Sequence, residues 1–524
     1  MKHFRNLVLI LIVSFHFVFA QNGFDKQESI YHLSSNLEYL ASDYLEGREA
    51  TTRGEELASI FLSAKLKEYN VKPFGDDGKY FQYFNVLTKQ TESDSEIEII
   101  SEDGETSKLL LGDDFALSLD YFPSAEFNDK DYEVVFAGYG LTDEESNYDD
   151  YAGIDVDGKV VLVIVGSPST TIADSATFKD YKKYFNIKSK YENAQNRGAA
   201  GLIVVPDSRT VKYWAYIRVR ALTSTSGLAY ESNDQTYSSA SIPVIRLSEE
   251  SAIKLLSNEL YDYDDLSKVE DGITVPPSFR LNKKIRFDYR ASSEIKEARN
   301  VIGIVEGTDD DLKNEFIALS AHYDHEGIVD SVIYNGADDN GSGTVGILEA
   351  ARRLSQIGKN KRSVLFVFHT AEEKGLLGSK YYTNNSEYMD DIVTNINVDM
   401  VGRESTDSIF CIGSDKLSTE LYEMVEEVNS ETVNFYLDYT YNDPDDPNRY
   451  YYRSDHYNYA KRNIPVVFFY DHMVEDYHKP TDDVDKINFE KIEKISTLIT
   501  ELALRISNLD HRLIVDKLEM EAVK

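Results

Sequence analysis

The sequence predicts an α/β fold, with a mostly parallel central sheet flanked by helices and an inserted, smaller β-rich α/β domain. The chain has 524 residues, more than one hydrophobic core usually serves. After about residue 295, apolar runs such as "IPVVFFYD" alternate with amphipathic segments such as "GTVGILEAARRLSQIG". Unbroken apolar strands are typical of a parallel sheet that helices cover on both faces. Between about residues 96 and 288, short β-rich runs instead alternate with acidic turns, which indicates a separate module.

The first 20 residues read as a secretory signal peptide. A basic head with Lys2 and Arg5 precedes an apolar stretch, and Val18 and Ala20 fit a small-residue cleavage pattern. We therefore expect a secreted or periplasmic protein that has no membrane insertion after cleavage. The remaining predicted divisions are the N-terminal part of the main domain, the inserted domain and the main part, at residues 21–95, 96–288 and 289–524.

The charge and the cysteine count exclude some classes of function. Lys plus Arg number 55 against 92 Asp plus Glu, a net charge of −37 that repels nucleic-acid phosphates and anionic lipid. Nucleic acid is therefore not an expected partner. Cys411 is the only cysteine, so an intrachain disulfide cannot form. Its apolar surroundings in "SIFCIGS" predict a buried, packed thiol.

Histidines and carboxylates follow five successive segments of the main domain. In an open α/β sheet, ligands bind outside the carboxyl ends of the strands, so we expect these side chains to meet at one rim. Singly, each could be a helix cap, a turn residue or a packed histidine. Together they are His322, Asp324, Asp338, Asp339, Glu372, Glu373, Asp399 and His478.

Imidazole nitrogens and carboxylate oxygens suit zinc, and two zinc ions can share a carboxylate and activate a water. Such a site also needs a base that is not committed to metal. The adjacent Glu372 and Glu373 fit a division of work in which one carboxylate binds metal and the other moves a proton.

These segments also resemble a known family. "SAHYDHEG", "YNGADDNGSG", "HTAEEKGLLGS", "NINVDMVGR" and "YHKPTDD" resemble, in order, the motifs of the dizinc exopeptidases of metallopeptidase family twenty-eight. "FAGYG", "GKVVLVIVG" and "AQNRGAAGLIVV" are similar to the protease-associated domain often inserted in such proteins. The resemblance implies two zinc ions and peptide substrates.

The resemblance also implies a role for each matching residue. It makes Asp338 the bridge between the two zincs, with Glu373 and His478 on one ion and His322 and Asp399 on the other. Glu372 becomes the general base, and Asp324 orients His322 through a hydrogen bond. Asp339 falls where the family has an unusual peptide geometry, and Tyr477 where some members polarise the scissile carbonyl. No predicted ligand is lost, which argues against a silent, receptor-like relative.

The expected function is a secreted zinc aminopeptidase. A carboxypeptidase or dipeptidase on the same core is the alternative, and it would require arginines around a substrate carboxylate. One-zinc glutaminyl cyclisation and a non-catalytic binding protein are further alternatives. Glu404 or the acidic loop 442–446 could seat a substrate ammonium, and that loop could instead bind calcium or be only a solvated turn. The sequence does not indicate an oligomeric state.

Overall fold

The computed structural model describes residues 23–92, 94–118, 130–144, 147–167, 187–223, 225–228, 242–271, 275–403, 405–472 and 474–517. The predicted signal peptide and Glu404 lie outside the described residues.

In chain order, the strands are β1 Lys72–Pro73, β2 Phe81–Thr91, β3 Glu96–Ile100, β4 Thr106–Leu110, β5 Phe115–Leu117, β6 Asp131–Phe136, β7 Thr142–Asp143, β8 Tyr148–Asp149, β9 Val160–Ile164, β10 Gly201–Val205, β11 Thr225–Leu228, β12 Val244–Leu247, β13 Phe279–Asp288, β14 Ala291–Val305, β15 Phe316–His322, β16 Gly327–Val329, β17 Val332–Tyr334, β18 Ser363–His369, β19 Ile392–Asp399, β20 Ser408–Ile412, β21 Tyr436–Asp438 and β22 Val466–Tyr470. The helices are α1 Lys26–Leu40, α2 Arg53–Glu68, α3 Ile187–Asn196, α4 Ser208–Lys212, α5 Trp214–Leu222, α6 Glu249–Leu256, α7 Tyr263–Ser267, α8 Gly343–Ile357, α9 Leu377–Asn385, α10 Thr419–Glu431, α11 His456–Ala460 and α12 Phe489–Ser507.

The larger sheet has the strand order β11-β2-β14-β18-β15-β19-β22-β20-β21, and β1 also pairs with β14. Its four central strands, β18, β15, β19 and β22, run parallel to their neighbours in that group. The outer strands β14, β2, β11 and β20 join it antiparallel. The predicted α/β class is therefore confirmed. The sheet is more mixed than predicted, because it is parallel at its centre and gains antiparallel strands outside it.

Helices cover both faces of this sheet. Helices α1, α2, α8, α10 and α12 pack together on one face, and α9 and α11 pack on the other. The central strands are buried along their whole length, as their apolar sequences predict. Helix α8 ends at Gly358, which has φ +57° and a backbone amide that donates to the carbonyl of Leu354. The last glycine of the segment "GTVGILEAARRLSQIG" is therefore the observed helix end.

The smaller sheet has the strand order β4-β3-β13-β6-β9-β10-β12-β5 and an apolar cluster on each face. This is the predicted inserted β-rich α/β module. It leaves the larger sheet after Thr91 and returns at Ala291, and these two residues are partners in the β2–β14 ladder.

One part of the inserted module returns to the larger sheet. Strand β11 pairs antiparallel with β2, at its edge. Just before it, α5 carries Arg218, whose guanidinium pairs with Asp113 of the module at 2.8 Å and with Asp330 of the β16–β17 hairpin. Helix α5 is thereby held against the main domain.

The side chain of Cys411 is fully buried on β20. Burial raises the pKa of its thiol to about 12, so the predicted packed thiol is confirmed. Among the described residues, we find no helix with the length and apolar character that crossing a membrane requires.

Candidate metal centre

The carboxyl ends of the central strands bring the predicted residues together. His322 and Asp399 are the last residues of β15 and β19. Glu372 and Glu373 follow β18, Asp338 and Asp339 precede α8, and His478 follows β22. Parallel strands end at the same edge of a sheet, so each adds a side chain to one cleft.

A first group of candidate ligands consists of His322, Asp339 and Asp399. The Nε2 atom of His322 lies 3.4 Å from Oδ1 of Asp339 and 3.3 Å from Oδ1 of Asp399. All three residues are buried.

A second group forms around the other oxygen of Asp339. Nε2 of His478 lies 3.1 Å from Oδ2 of Asp339 and 3.3 Å from Oε2 of Glu373. The Asp339 carboxylate thus faces His322 with one oxygen and His478 with the other. That is the position of a carboxylate that bridges two metal ions.

The structure therefore places Asp339, and not Asp338 as predicted, between the two imidazoles. Asp338 is fully buried, but its Oδ1 accepts the backbone amide of Gly402 at 2.8 Å, and it is in none of the candidate groups among the described residues. The peptide bond between Asp339 and Asn340 is cis, which agrees with the unusual geometry expected at Asp339.

Two residues near His478, Glu326 and His325, were not predicted as site residues. Oε1 of Glu326 lies 2.8 Å from Nδ1 of His478, and Nδ1 of His325 lies 3.1 Å from Oε1 of Glu373. Both follow His322 in "HYDHEG", and that density of polar residues after a strand was the available signal. Glu326 is placed to orient His478, in the way that outer carboxylates fix metal-binding imidazoles.

The main chain of Asp324 lies closer to His322 than its side chain does. Nδ1 of His322 lies 3.2 Å from the backbone oxygen of Asp324, and the carboxylate stands farther away, at 3.7 Å. The carboxylate instead accepts the backbone amides of Glu372 at 3.1 Å and Glu373 at 3.4 Å. Asp324 thus supports His322 with its main chain and the two glutamates with its side chain.

The cleft holds more buried acid than buried base. Burial lowers the pKa of His322, but Asp399 and Glu372 raise it well above its ordinary value. Burial raises the pKa of Glu372 well above its ordinary value, with Glu373 and Asp399 adding to the shift against the opposing effect of His322. Carboxylates crowded this closely favour a bound cation, which removes their mutual repulsion.

Two further observations fit a divalent metal. Both ring nitrogens of His478 are buried without a hydrogen bond, although carboxylate oxygens stand 2.8–3.3 Å from them. Ligand atoms ~2.0–2.1 Å from a tetrahedral zinc lie roughly 3.3 Å apart, by simple tetrahedral geometry. The separations of 3.1–3.4 Å between His322, Asp339, Asp399, Glu373 and His478 match that spacing. The donor set therefore fits zinc.

Aromatic and cationic side chains complete the cleft. The ring of Tyr477 packs against that of His478 at a tilt of 32°, with 3.8 Å between centroids. Nη2 of Arg453 donates to the Tyr477 hydroxyl at 3.4 Å. Tyr450 and Arg453 line the same cleft as Glu372 and Asp399. In the acidic loop 442–446, Asp446 accepts the backbone amide of Tyr450 at 3.0 Å.

Comparisons with known proteins agree with this architecture. Residues 300–503 match the sequence model of peptidase family M28, and residues 130–255 match that of the PA domain. The aminopeptidase from Aneurinibacillus sp. strain AM-1 superposes with a TM-score of 0.62 at 18% identity, over 94% of this chain and 97% of that one. BSAP, a zinc aminopeptidase from Bacillus subtilis, gives 0.54 at 19% identity, over 90% and 93%. At these identities the likeness concerns the fold.

Curated relatives match over shorter stretches. Leucine aminopeptidase 2 of Trichophyton rubrum is 32% identical over 172 residues, which is 32% of each chain. Aminopeptidase YwaD of Bacillus subtilis is 28% identical over 246 residues, 44% of this chain and 49% of that protein. The chain thus spans about a third to a half of these relatives. Residues 300–503 of the chain are thus similar to peptidase family M28, and residues 130–255 are similar to the PA domain.

Proposed function

We propose that this chain is a secreted zinc aminopeptidase, which removes the N-terminal residue of peptides. The observation that carries the proposal is the division between Glu372 and Glu373. Glu373 belongs to two of the candidate ligand groups, whereas Glu372 belongs to none among the described residues. Relatives and structural neighbours named as aminopeptidases support the reaction class.

The proposed ligands are those whose ring nitrogens and carboxylates converge in the cleft. His322, Asp339 and Asp399 would hold one zinc ion, and Asp339, Glu373 and His478 would hold a second one. Zinc held there would act as a Lewis acid and lower the pKa of bound water toward neutrality. The shared fold with BSAP, which is a zinc aminopeptidase, supports zinc as the metal here.

Glu372 is the proposed general base. Its carboxylate stands 3.9 Å from Nε2 of His322 and faces the cleft beside Asp399. There it can accept a proton from the attacking water and return it to the leaving amine. Asp324 fixes the backbone of Glu372, so the carboxylate needs little reorientation during the reaction.

Tyr477 and Arg453 are the proposed donors toward the scissile carbonyl. They lie on the same side of the cleft, in contact through the tyrosine hydroxyl. A hydroxyl donor next to a cationic guanidinium stabilises negative charge that develops on a carbonyl oxygen. The proposed seat for the substrate ammonium is the acidic loop 442–446, where Asp446 adjoins Tyr450.

A carboxypeptidase is the second candidate, because Arg453 lines the cleft and could bind a substrate carboxylate. One experiment separates the candidates. The purified mature chain is given free and N-acetylated dipeptides, together with C-terminally amidated ones, with and without a chelator. An aminopeptidase cleaves amidated substrates, rejects acetylated ones and stops on chelation.

Cleavage of N-acetylated dipeptides, together with rejection of C-terminally amidated ones, assigns the chain to the carboxypeptidases. If the zinc-loaded chain cleaves nothing, the proposal fails and a binding protein on this fold becomes the better interpretation. Secretion and the domain boundaries at residues 20, 95 and 288 are part of the proposal, and N-terminal sequencing of the exported protein tests the first boundary.

A further inference from the structure

Helix α5 belongs to the inserted module, yet two of its side chains touch the candidate metal centre. Arg220 donates from Nη1 to the backbone carbonyl of Glu373 at 3.0 Å. The ring of Tyr216 packs on that of His478, with 5.2 Å between centroids. Residues from the module therefore reach two proposed zinc ligands.

Arg220 and Tyr216 act as one unit. They lie four residues apart, on the same face of the helix. Nη1 of Arg220 lies 3.3 Å from the Tyr216 hydroxyl, and the guanidinium stands over the Tyr216 ring at 5.9 Å. Burial lowers the pKa of Arg220, but Tyr216, Glu326 and Glu373 together raise it above its ordinary value, so the guanidinium stays charged.

These contacts are confined to one half of the centre. Glu373 and His478 are the proposed ligands of a single ion, with Glu326 behind His478. Among the described residues, neither Tyr216 nor Arg220 has a hydrogen bond, ion pair or ring contact with His322 or Asp399. The residues that would hold the other ion thus lack such a contact from the module among the described residues.

We propose that Arg220 and Tyr216 are positioning residues by which the inserted module tightens one of the two proposed zinc sites and leaves the other unchanged. This inference rests on the proposed function and adds a division between its two ions. Arg220 holds the main chain of Glu373 while Tyr216 limits the rotation of the His478 ring. Outer contacts of this kind change metal affinity by ~10–100-fold.

The test measures zinc affinity rather than activity. The full chain is stripped and titrated with zinc against a chromophoric chelator, and the bound zinc is counted by elemental analysis. Arg220→Met and Tyr216→Ala are compared with Arg218→Met. This control lies on the same helix and removes the ion pairs that hold α5 to Asp113 and Asp330, without a described contact to a proposed ligand.

We expect the wild-type chain to bind two zinc ions. In Arg220→Met and Tyr216→Ala, one of them should bind ~10–100-fold more weakly while the other keeps its affinity. Arg220→Lys, which can still donate to the Glu373 carbonyl, should restore part of the affinity. Far-ultraviolet circular dichroism confirms that each variant is folded, and Tyr216→Phe replaces Tyr216→Ala if the smaller residue does not fold.

The outcomes are distinguishable. Unchanged affinities in both variants overturn the inference and leave the proposed function standing. An equal loss at both ions, shared by Arg218→Met, also overturns it, because the helix then acts only by docking. A wild-type chain that binds no zinc overturns the proposed function, and the inference falls with it.

Discussion

The carboxylate of Asp324 accepts the backbone amide of Glu372 at 3.1 Å with one oxygen and that of Glu373 at 3.4 Å with the other. A single buried side chain therefore sets the main chain at both the proposed base and a proposed ligand. Asp324 is itself fully buried, so this support does not depend on solvent.

Replacing Asp324 tests this support. Asp324→Asn turns one acceptor into an amide that faces a backbone N–H group, so the turn should shift. We expect a ~10–100-fold loss of kcat/KM or of zinc affinity, measured by peptide hydrolysis and chelator competition. Asp309→Asn is the matched control, because the half-buried Asp309 also accepts two backbone amides but in a turn away from the cleft. A loss as large in the control would count against a specific role for Asp324.

Glu372→Gln tests the general base. The glutamine keeps the size of the side chain and its polarity, but it cannot accept the proton. The expected result is a ~10²–10⁴-fold lower kcat with zinc content unchanged. Glu373→Gln should instead lose zinc, because Glu373 lies 3.3 Å from His478 within a candidate group. Full activity in Glu372→Gln would exclude the assigned role.

Asp338 and Asp339 provide a direct test of the bridging position. Asp339→Asn replaces the carboxylate that faces both His322 and His478 with a neutral amide. The amount of zinc bound per chain should therefore fall at both proposed sites. Asp338→Asn should retain zinc, because its carboxylate turns toward Gly402. Elemental analysis after dialysis gives the zinc per chain, and loss of zinc in Asp338→Asn alone would restore Asp338 as the bridge.

Glu349 lies away from the cleft, and its ion pairs should make the free energy of unfolding depend on pH. Its buried carboxylate accepts from Arg352 and Arg353 on the same helix, each at 2.8 Å. Burial raises the pKa of Glu349, but the two arginines outweigh it and hold the pKa below 4.5. The folded state thus binds this proton less readily than the unfolded chain does. The stabilisation by the Glu349 ion pairs is fully present above the pKa that this carboxyl has in the unfolded chain. It is lost as the pH falls through the lower pKa of the folded state.

Glu349→Gln removes the carboxylate that two buried guanidinium groups share, although Arg353 keeps its pair with Glu493 at 2.9 Å, so we expect a loss of ~1–3 kcal/mol in the free energy of unfolding at pH 7. The difference from the wild type should shrink as the pH falls below the ordinary Glu pKa of about 4.3, because the unfolded chain then takes up a proton that the folded state binds less readily. Denaturant unfolding at several pH values measures both effects. The exposed Glu490, whose pair with Lys26 is 3.4 Å long, is the control, and Glu490→Gln should change stability by less than ~1 kcal/mol. A difference that stays constant with pH would contradict the ion-pair explanation.

The sequence was most informative where local pattern and topology agree. Unbroken apolar strands such as β18 and β22 predicted a buried parallel centre, and the residues after them predicted the rim where His322 and His478 meet. The antiparallel outer strands were harder, because their direction depends on connections that the inserted module interrupts.

The choice between Asp338 and Asp339 shows a second limit. The two aspartates are neighbours in one turn, and which carboxylate faces the imidazoles depends on backbone dihedral angles that composition does not reveal. Tyr216 and Arg220 were missed for another reason. They lie in a different module, more than 100 residues before the ligands that they contact, and only the folded chain brings them there.

The register of β2 and β14 has a consequence for how the chain folds. Thr91 and Ala291 are partners in this ladder, so residues 92–290 begin and end side by side. Loop-closure entropy grows slowly with length, by about 0.6 kcal/mol for each doubling, and a segment that has already folded with adjacent ends costs less still. For the two strands, the whole inserted module is equivalent to the connection of one long β-hairpin.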